Sequence, residues 1–339
     1  MDTRVEIADF EDWRELAGEA VELLQAGEVV AVPTETVYGL AADALNEEAV
    51  AKIFEVKGRP AFDPLIVHLA GWREIKKVAE IPEDIDDAVR ELTKEFWPGP
   101  LTLVLPKKPE VPDAVTAGLP TVAIRVSAHE VMREVCKLVG PIAAPSANLF
   151  GRISPTSAAA VVAELDGKIP LVIDGGACRE GLESTIVKIE PGEKKPLITI
   201  LRPGPISREM LRKFGTVKKA RPQKDKTVVE VPGQTASHYA PNAKVKILDK
   251  DEDFTPEEGM KYALLTYRGD SKWEEAHEWV AKDALSPGGG KLAEAGVRLF
   301  HLLRKMDEAN PDVILVEALT ETGVGVAMMD RLRRAAATE

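Results

Sequence analysis

Cations and hydroxyls recur in this 339-residue chain where apolar runs begin or end. In VKGRPAFDPLIVH, Val56 to His68, Lys57 and Arg59 flank a glycine, and Asp63 stands just before an apolar run that ends in His68. An ammonium is a compact charge and a guanidinium a planar fork, so the two suit phosphate or carboxylate. Pro60 and Pro64 stiffen the corner and reduce the entropy lost on binding. His68 falls on the face of Ile66, opposite Val67, if the run is a strand. In TVAIRVS, Arg125 interrupts apolar residues four positions after Thr121. A buried arginine needs an anion, either a salt-bridge partner or a ligand, and the sequence leaves both open. Thr36 lies in VPTETVYGLAADA, Ser146, Asn148 and Ser154 in PIAAPSANLFGRISPTSA, Ser184 in GLESTIVKI, and Arg202 in ILRPGPIS. No carboxylate dyad and no nucleophile–histidine pair stands out. The pattern suits a site that positions a polyphosphate and a small carboxylate through charge rather than covalent catalysis.

These groups need a scaffold. Trp13, Leu16, Ala17, Ala20, Val21 and Leu24 share a helical face, and Gly27 ends that helix. EVVAVP, PLIVHLA, LTLVLP, TVAIRV, PIAAP, PLVIDGG and STIVKIE read as strands. Helices are expected after Asn46 to Val56, near 83–96 and over 128–139. Another is expected from Ser154, as N-cap, with Pro155 in its first turn. Mixed order without strict β-α-β alternation predicts an α/β domain over residues 1–214 with a twisted mixed sheet. Residues 215–243, rich in Lys, Pro and polar side chains, form a linker. From 244 to 339 the order strand KVKIL, strand KYALLTY, helix 271–282, helix 289–309, strand DVILVEA and helix 326–336 predicts a small Rossmann-like parallel α/β domain.

Composition narrows the function. Net charge is −12, which argues against a chain that coats nucleic acid, although residues 188–226 hold 12 Lys/Arg against 4 Asp/Glu. Two cysteines, Cys136 and Cys178, are too few for a disulfide framework or zinc ribbon and read as reduced core thiols. The acidic start lacks a signal-peptide pattern and no apolar run is of membrane length, so a cytoplasmic protein is expected. SPGGGKLAEAG fails as a P-loop because Leu285 and Leu292 occupy the required Gly and Ser/Thr positions. The five histidines show no metal spacing.

PTETVYGLAADA, KGRP…PLIVH, WPGPLTLVL, TVAIRVS, APSANLFGRISPT, ESTIV and LRPGPIS, in this order over most of residues 10–208, resemble the YrdC-like family. SHYAP and GVGVAMMDRLRRAA resemble the linker and C-terminal domain of its long, two-domain form. The resemblance implies a nucleotidyltransferase that makes L-threonylcarbamoyladenylate and pyrophosphate from L-threonine, CO2 or bicarbonate, and ATP. A tRNA threonylcarbamoyl transferase would consume the product. It implies Lys57 and Arg59 as catalytic groups that neutralise the phosphates and a carbamate. Thr36, His68, Arg125 and Ser184 would bind threonine, with Arg125 on the carboxylate. Lys57, Arg59, Asp63, Thr121, Ser146, Asn148, Ser154, Arg202, His238 and Tyr239 would face ATP. Mg2+ would be held mainly by the ATP phosphates, with no protein metal site. Many relatives resemble NPLIVH where this chain has Asp63. An ionised carboxylate cannot donate and repels phosphate, so Asp63 would brace Arg59 or accept from a ribose hydroxyl or metal-bound water. PGQTASHYAP is expected to close over the site as a lid that shields labile intermediates from water. The alternative function is a noncatalytic RNA-binding module, and a weak RNA contact is compatible with either reading.

Overall fold

The computed structural model describes residues 2–7, 13–220, 229–235, 237–275 and 277–337. The first domain runs β1 (Arg4–Ile7), α1 (Trp13–Gln25), β2 (Val30–Val32), β3 (Gly39–Asp43), α2 (Glu47–Lys57), β4 (Ile66–His68), α3 (Asp86–Phe96), β5 (Leu101–Pro106) and α4 (Asp113–Thr116). It continues with β6 (Thr121–Arg125), α5 (Glu130–Val139), β7 (Ile142–Ala143), α6 (Ala158–Leu165), β8 (Leu171–Asp174), β9 (Thr185–Glu190), β10 (Leu197–Arg202), α7 (Arg208–Leu211) and β11 (Thr216–Lys219). The strands form one mixed sheet in the order β1-β8-β2-β3-β7-β4-β6-β5-β9-β10-β11.

Local chemistry sets the ends of the elements that matter most. Asn46 caps α2 by accepting from the backbone N–H groups of Glu48 and Ala49. Gly58 closes the same helix at φ 60°, a left-handed conformation that glycine adopts without a Cβ penalty. Lys57 and Arg59 therefore leave a sharp, defined corner.

Sheet register then aligns distant residues. β4 and β6 are parallel with His68 opposite Arg125, and β5 and β6 are antiparallel with Thr102 opposite the same arginine. Val67 faces the main core while Ile66 and His68 face the cavity described below, as strand alternation predicts.

The second domain comprises β12 (Lys244–Leu248), β13 (Tyr262–Thr266), β14 (Ala281–Ala284), α8 (Leu292–Glu308), β15 (Val313–Glu317) and α9 (Gly325–Ala336). Its sheet, β12-β15-β13-β14, is parallel throughout. Leu299, Phe300, Leu303, Met328 and Leu332 build its core, which is continuous with Val37, Ile153, Leu182 and Tyr239. Each fully buried Leu or Phe of this kind contributes about 1.5–3 kcal/mol of transfer free energy, so the second domain is packed against the first, not merely tethered to it.

Several expectations change. Ser157, not Ser154, caps α6, accepting from Ala160 N, because the Ser154 hydroxyl is spent on Glu183. The expected helix over 271–282 is turns followed by β14, whose backbone pairs with β13. β11 pairs with β10, so the first sheet extends past the expected boundary at 214. Within the linker, residues 221–228 and 236 lie outside the described residues, as does part of the basic stretch over 188–226. No helix among the described residues is long and apolar enough to cross a membrane.

Candidate active site

A cavity opens where β4 and β6 meet the residues leading into β9 and the linker. Thr36, Arg59, His68, Arg125, Ser146, Ser184, Arg202, His238 and Tyr239 all line it. Segments far apart in sequence thus converge because the register of β4, β5, β6 and β9 places them side by side.

Arg125 organises one end. Its Nε donates to Gly99 O at 3.2 Å, its Nη1 to Thr36 Oγ1 at 2.9 Å, and its Nη2 pairs with Glu35 at 2.6 Å. A guanidinium carries five N–H groups, and Nη2, which meets Glu35 as an ion pair without a hydrogen bond among the described residues, keeps donor capacity. Both earlier options for Arg125 are thereby compatible: a structural partner and a donor left for a ligand. Burial alone would raise the Glu35 carboxyl, but Arg125 and the Ser127 hydroxyl outweigh it and hold it below its usual 4.5. A carboxyl depressed in this way contributes stability above its unfolded pKa and loses it as acid titrates the folded group. The urea midpoint is expected to fall as pH drops below the usual carboxylate range, and Glu35→Gln should reduce that dependence while lowering stability at neutral pH. His68 lies beside this pair. Burial, then Arg125, push it down to about 3, so it is a neutral imidazole at neutral pH.

Arg202 and Arg59 organise the other end. Arg202 Nε and Nη2 donate to Ser184 O at 3.2 and 3.1 Å, and Nη2 also donates to Ser184 Oγ at 3.1 Å. Its Nη1 reaches Pro232 O at 3.1 Å. Burial pushes this guanidinium down to about 10, still far above neutral. Gly204 permits the approach, since a Cβ there would sit 2.4 Å from Thr185 N. Arg59 donates to Asp63 O at 3.0 Å and Pro64 O at 2.7 Å and pairs with Asp63 Oδ1 at 2.9 Å. Asp63 is fully buried and does not line the cavity, which makes it the brace of Arg59. Burial raises its carboxyl, while Arg59 and then Lys57 pull it back.

Lys57 does not face the cavity, as a phosphate-neutralising charge would. It is 2% exposed, and its ammonium donates to Ser146 O at 2.6 Å and to Asn148 O. Burial, and then Arg59, lower its pKa well below 10.5. It ties the 146–148 turn to the end of α2. Asn148 gives its amide to Leu149 O and Arg152 O at 2.7 and 3.1 Å, leaving its Oδ1 without a hydrogen-bond partner among the described residues. Ser154 is buried against Glu183, behind the cavity wall. Thr121 starts β6, four residues from Arg125, and is outside the cavity lining.

The linker supplies a wall through Pro232, Gly233, His238 and Tyr239. His238 Nδ1 accepts from Tyr239 N at 2.9 Å, and the two rings lie 4.1 Å apart. Burial and the surrounding cations, Arg59 first, keep His238 well below its usual 6.5. Burial pushes the Tyr239 hydroxyl up to about 12. Gly233, at φ 79°, leaves room for that hydroxyl, which a Cβ would meet at 2.5 Å. Behind Tyr239 stands Arg331 of α9, fully buried, 5.3 Å from the ring centroid and paired with Glu183 at 3.0 Å and Asp330 at 2.9 Å.

Sequence reasoning missed Glu35, Glu183 and Arg331. Glu35 had a signal, as the one acid within the apolar and hydroxyl residues of Val29–Ala42. Glu183 adjoins Ser184 in a quoted motif. Arg331 sits in RLRRAA, which looks like a solvated helix end.

Residues 22–204 match the family model described as "Telomere recombination" (Sua5_yciO_yrdC), and residues 206–337 match "Threonylcarbamoyl-AMP synthase, C-terminal domain". The threonylcarbamoyl-AMP synthase of Pyrococcus abyssi is 41% identical, covering 93% of this chain and 92% of its own length. That of Bacillus subtilis is 39% identical, with coverage of 94% and 92%. A crystal structure of P. abyssi Sua5 complexed with L-threonine superposes with a TM-score of 0.82 at 38% identity, covering 99% of this chain and 98% of that one.

Proposed function

The chain belongs to the threonylcarbamoyl-AMP synthase family, and on that premise we propose how its cavity performs the synthesis. The enzyme is a nucleotidyltransferase. L-threonine, a one-carbon unit and ATP give L-threonylcarbamoyladenylate and pyrophosphate. The observation that carries the reading is the convergence of Thr36, His68 and Arg125 with Arg59, Ser184 and Arg202 on one cavity.

Threonine binds at the Arg125 end. Its carboxylate takes the remaining donor capacity of Arg125, while the neutral His68 and the hydroxyls of Thr36 and Ser184 line the rest. The free amine adds to CO2 and its proton passes to solvent, leaving a carbamate; entry as bicarbonate instead releases water at the same stage. A carbamate oxygen then attacks the α-phosphorus, and the bond to the bridging oxygen breaks to release pyrophosphate. Attacker and target are both anionic, so the barrier falls when cations gather them before reaction. Arg59 and Arg202 do this on the nucleotide side, joined by Ser146. Lys57 acts by fixing the turn that carries Ser146 and Asn148. Ser154 works through Glu183 and Asp63 through Arg59.

Mg2+, held by the ATP phosphates, would supply charge neutralisation there. Both carboxylates nearest that end, Asp63 and Glu183, are already ion-paired, which fits an ion carried by the nucleotide.

The space inside the cavity open to a water-sized sphere is about 40 Å³, too little for a nucleotide. In this reading the Pro232–Gly233 turn and His238 move aside for ATP and return over it, while Tyr239 stays anchored against Phe300 and Arg331. Closure shields the carbamate and the mixed anhydride from water. A tRNA threonylcarbamoyl transferase consumes the product.

Pyrophosphate release from ATP, measured with each amino acid in turn and with or without bicarbonate, tests the assignment. Release should require threonine and rise with bicarbonate. Release that ignores threonine would overturn it.

A further inference from the structure

A second concave surface shares no lining residue with the catalytic cavity. It runs beside α3 and offers about 540 Å³ to a water-sized sphere, a volume in the range of small-molecule sites. Arg90, Lys94 and Trp97 fall at spacings of four and seven along the sequence, so they share one face as α3 ends. Trp72, Val126 and Arg133 complete the wall. Trp72 is 45% exposed, and the Arg90 guanidinium lies 5.7 Å from its ring centroid. Two indoles and three cations line the groove with no carboxylate among them, in a chain whose net charge is −12.

The cations are not equally spent. Arg90 pairs with Asp86 at 2.7 Å, and Arg133 gives one N–H to Ser127 O at 3.1 Å. Lys94 is exposed and makes no ion pair among the described residues. The exposed Trp72 ring and the half-buried Trp97, beside Lys94 and a partly engaged Arg133, complement a planar base that carries phosphates. We propose that this groove is a nucleotide site separate from catalysis, with the base against tryptophan and the phosphates at Lys94 and Arg133. Arg133 also touches the catalytic end indirectly. The Ser127 it holds donates its hydroxyl to Glu35, the partner of Arg125. Occupancy of the groove is therefore placed to bias the threonine end of the enzyme.

The groove stands independently of the reading of the catalytic cavity, and one experiment separates them. ATP equivalents bound per chain are counted by equilibrium dialysis for the wild type, Trp72→Ala/Lys94→Glu and Arg59→Ala. The groove variant should bind one equivalent fewer than the wild type and keep its kcat for pyrophosphate release within about twofold. Lys94→Glu alone, which keeps both rings, should weaken that equivalent about tenfold. Loss of a different equivalent in Arg59→Ala bears on the catalytic cavity alone. Equal counts in the wild type and the groove variant overturn the proposal. So does binding of a 12-nucleotide oligouridylate that the groove variant abolishes while its ATP count is unchanged, since the groove would then be an RNA contact.

Discussion

Arg59→Ala is expected to lower kcat for threonine-dependent pyrophosphate release by roughly 10²–10³-fold, the usual effect of losing one preorganised donor at a developing charge. The geometry says why little can replace it. Nε, Nη2 and the Asp63 pair fix the guanidinium plane at the cavity wall, and a lysine cannot satisfy the same fork. Arg59→Lys should recover little. Removing Arg59 also leaves Asp63 buried without its partner, which costs about 3–5 kcal/mol, so folding has to be followed by the urea midpoint. Arg59→Met/Asp63→Leu removes both charges and should regain stability without regaining activity. Asp63→Asn keeps an oxygen acceptor toward Arg59 and should retain activity within about tenfold, near the value of one hydrogen bond. Near-normal turnover by a folded Arg59→Ala enzyme would contradict the phosphate clamp.

Arg331→Met should produce the largest loss of stability among single changes in the second domain. It removes a fully buried guanidinium that neutralises Glu183 and Asp330 and lies against Tyr239. The expected cost is about 3–5 kcal/mol, because Glu183 is left buried with a hydroxyl as its remaining described partner. Adding Glu183→Gln should restore part of the stability, since the stranded charge is gone. A double-mutant cycle on urea midpoints reads the coupling directly. Activity should fall as well, because Glu183 and Tyr239 both line the cavity. Unchanged midpoint and turnover in Arg331→Met would show that the second domain contributes nothing to the site through this residue.

What could be read from the sequence divides along physical lines. Helices with local signals were legible: α2 between Asn46 and Gly58, α8 and α9 through their apolar periodicity. So were long apolar strands such as β5 and β6. Short or exposed strands were not. β1 exposes Ile7, β11 exposes three of its four residues, and neither alternates enough to stand out. β14, AKDA, carries no strand signal, and only pairing with β13 makes it one. For the site, charge type and strand-end placement pointed to Arg59, Arg125 and Arg202. The burial of Lys57 was not readable, because its partners Ser146 O and Asn148 O are backbone groups 89 and 91 residues away. Arg331 was hidden for a related reason. Its partner Glu183 is 148 residues distant, and nothing local distinguishes it from Arg333 or Arg334. Asp63 illustrates the remaining case: the sequence left its role open, and one ion pair assigns it to Arg59.

The most direct test follows the one-carbon unit. The enzyme is incubated with ATP, L-threonine and 13C-bicarbonate, and the adenylate product is examined by mass spectrometry before it hydrolyses. The account predicts a single adenylate containing threonine, one labelled carbon and AMP, with an equal amount of pyrophosphate. A threonyl adenylate without the labelled carbon, or ADP and phosphate in place of pyrophosphate, would contradict it.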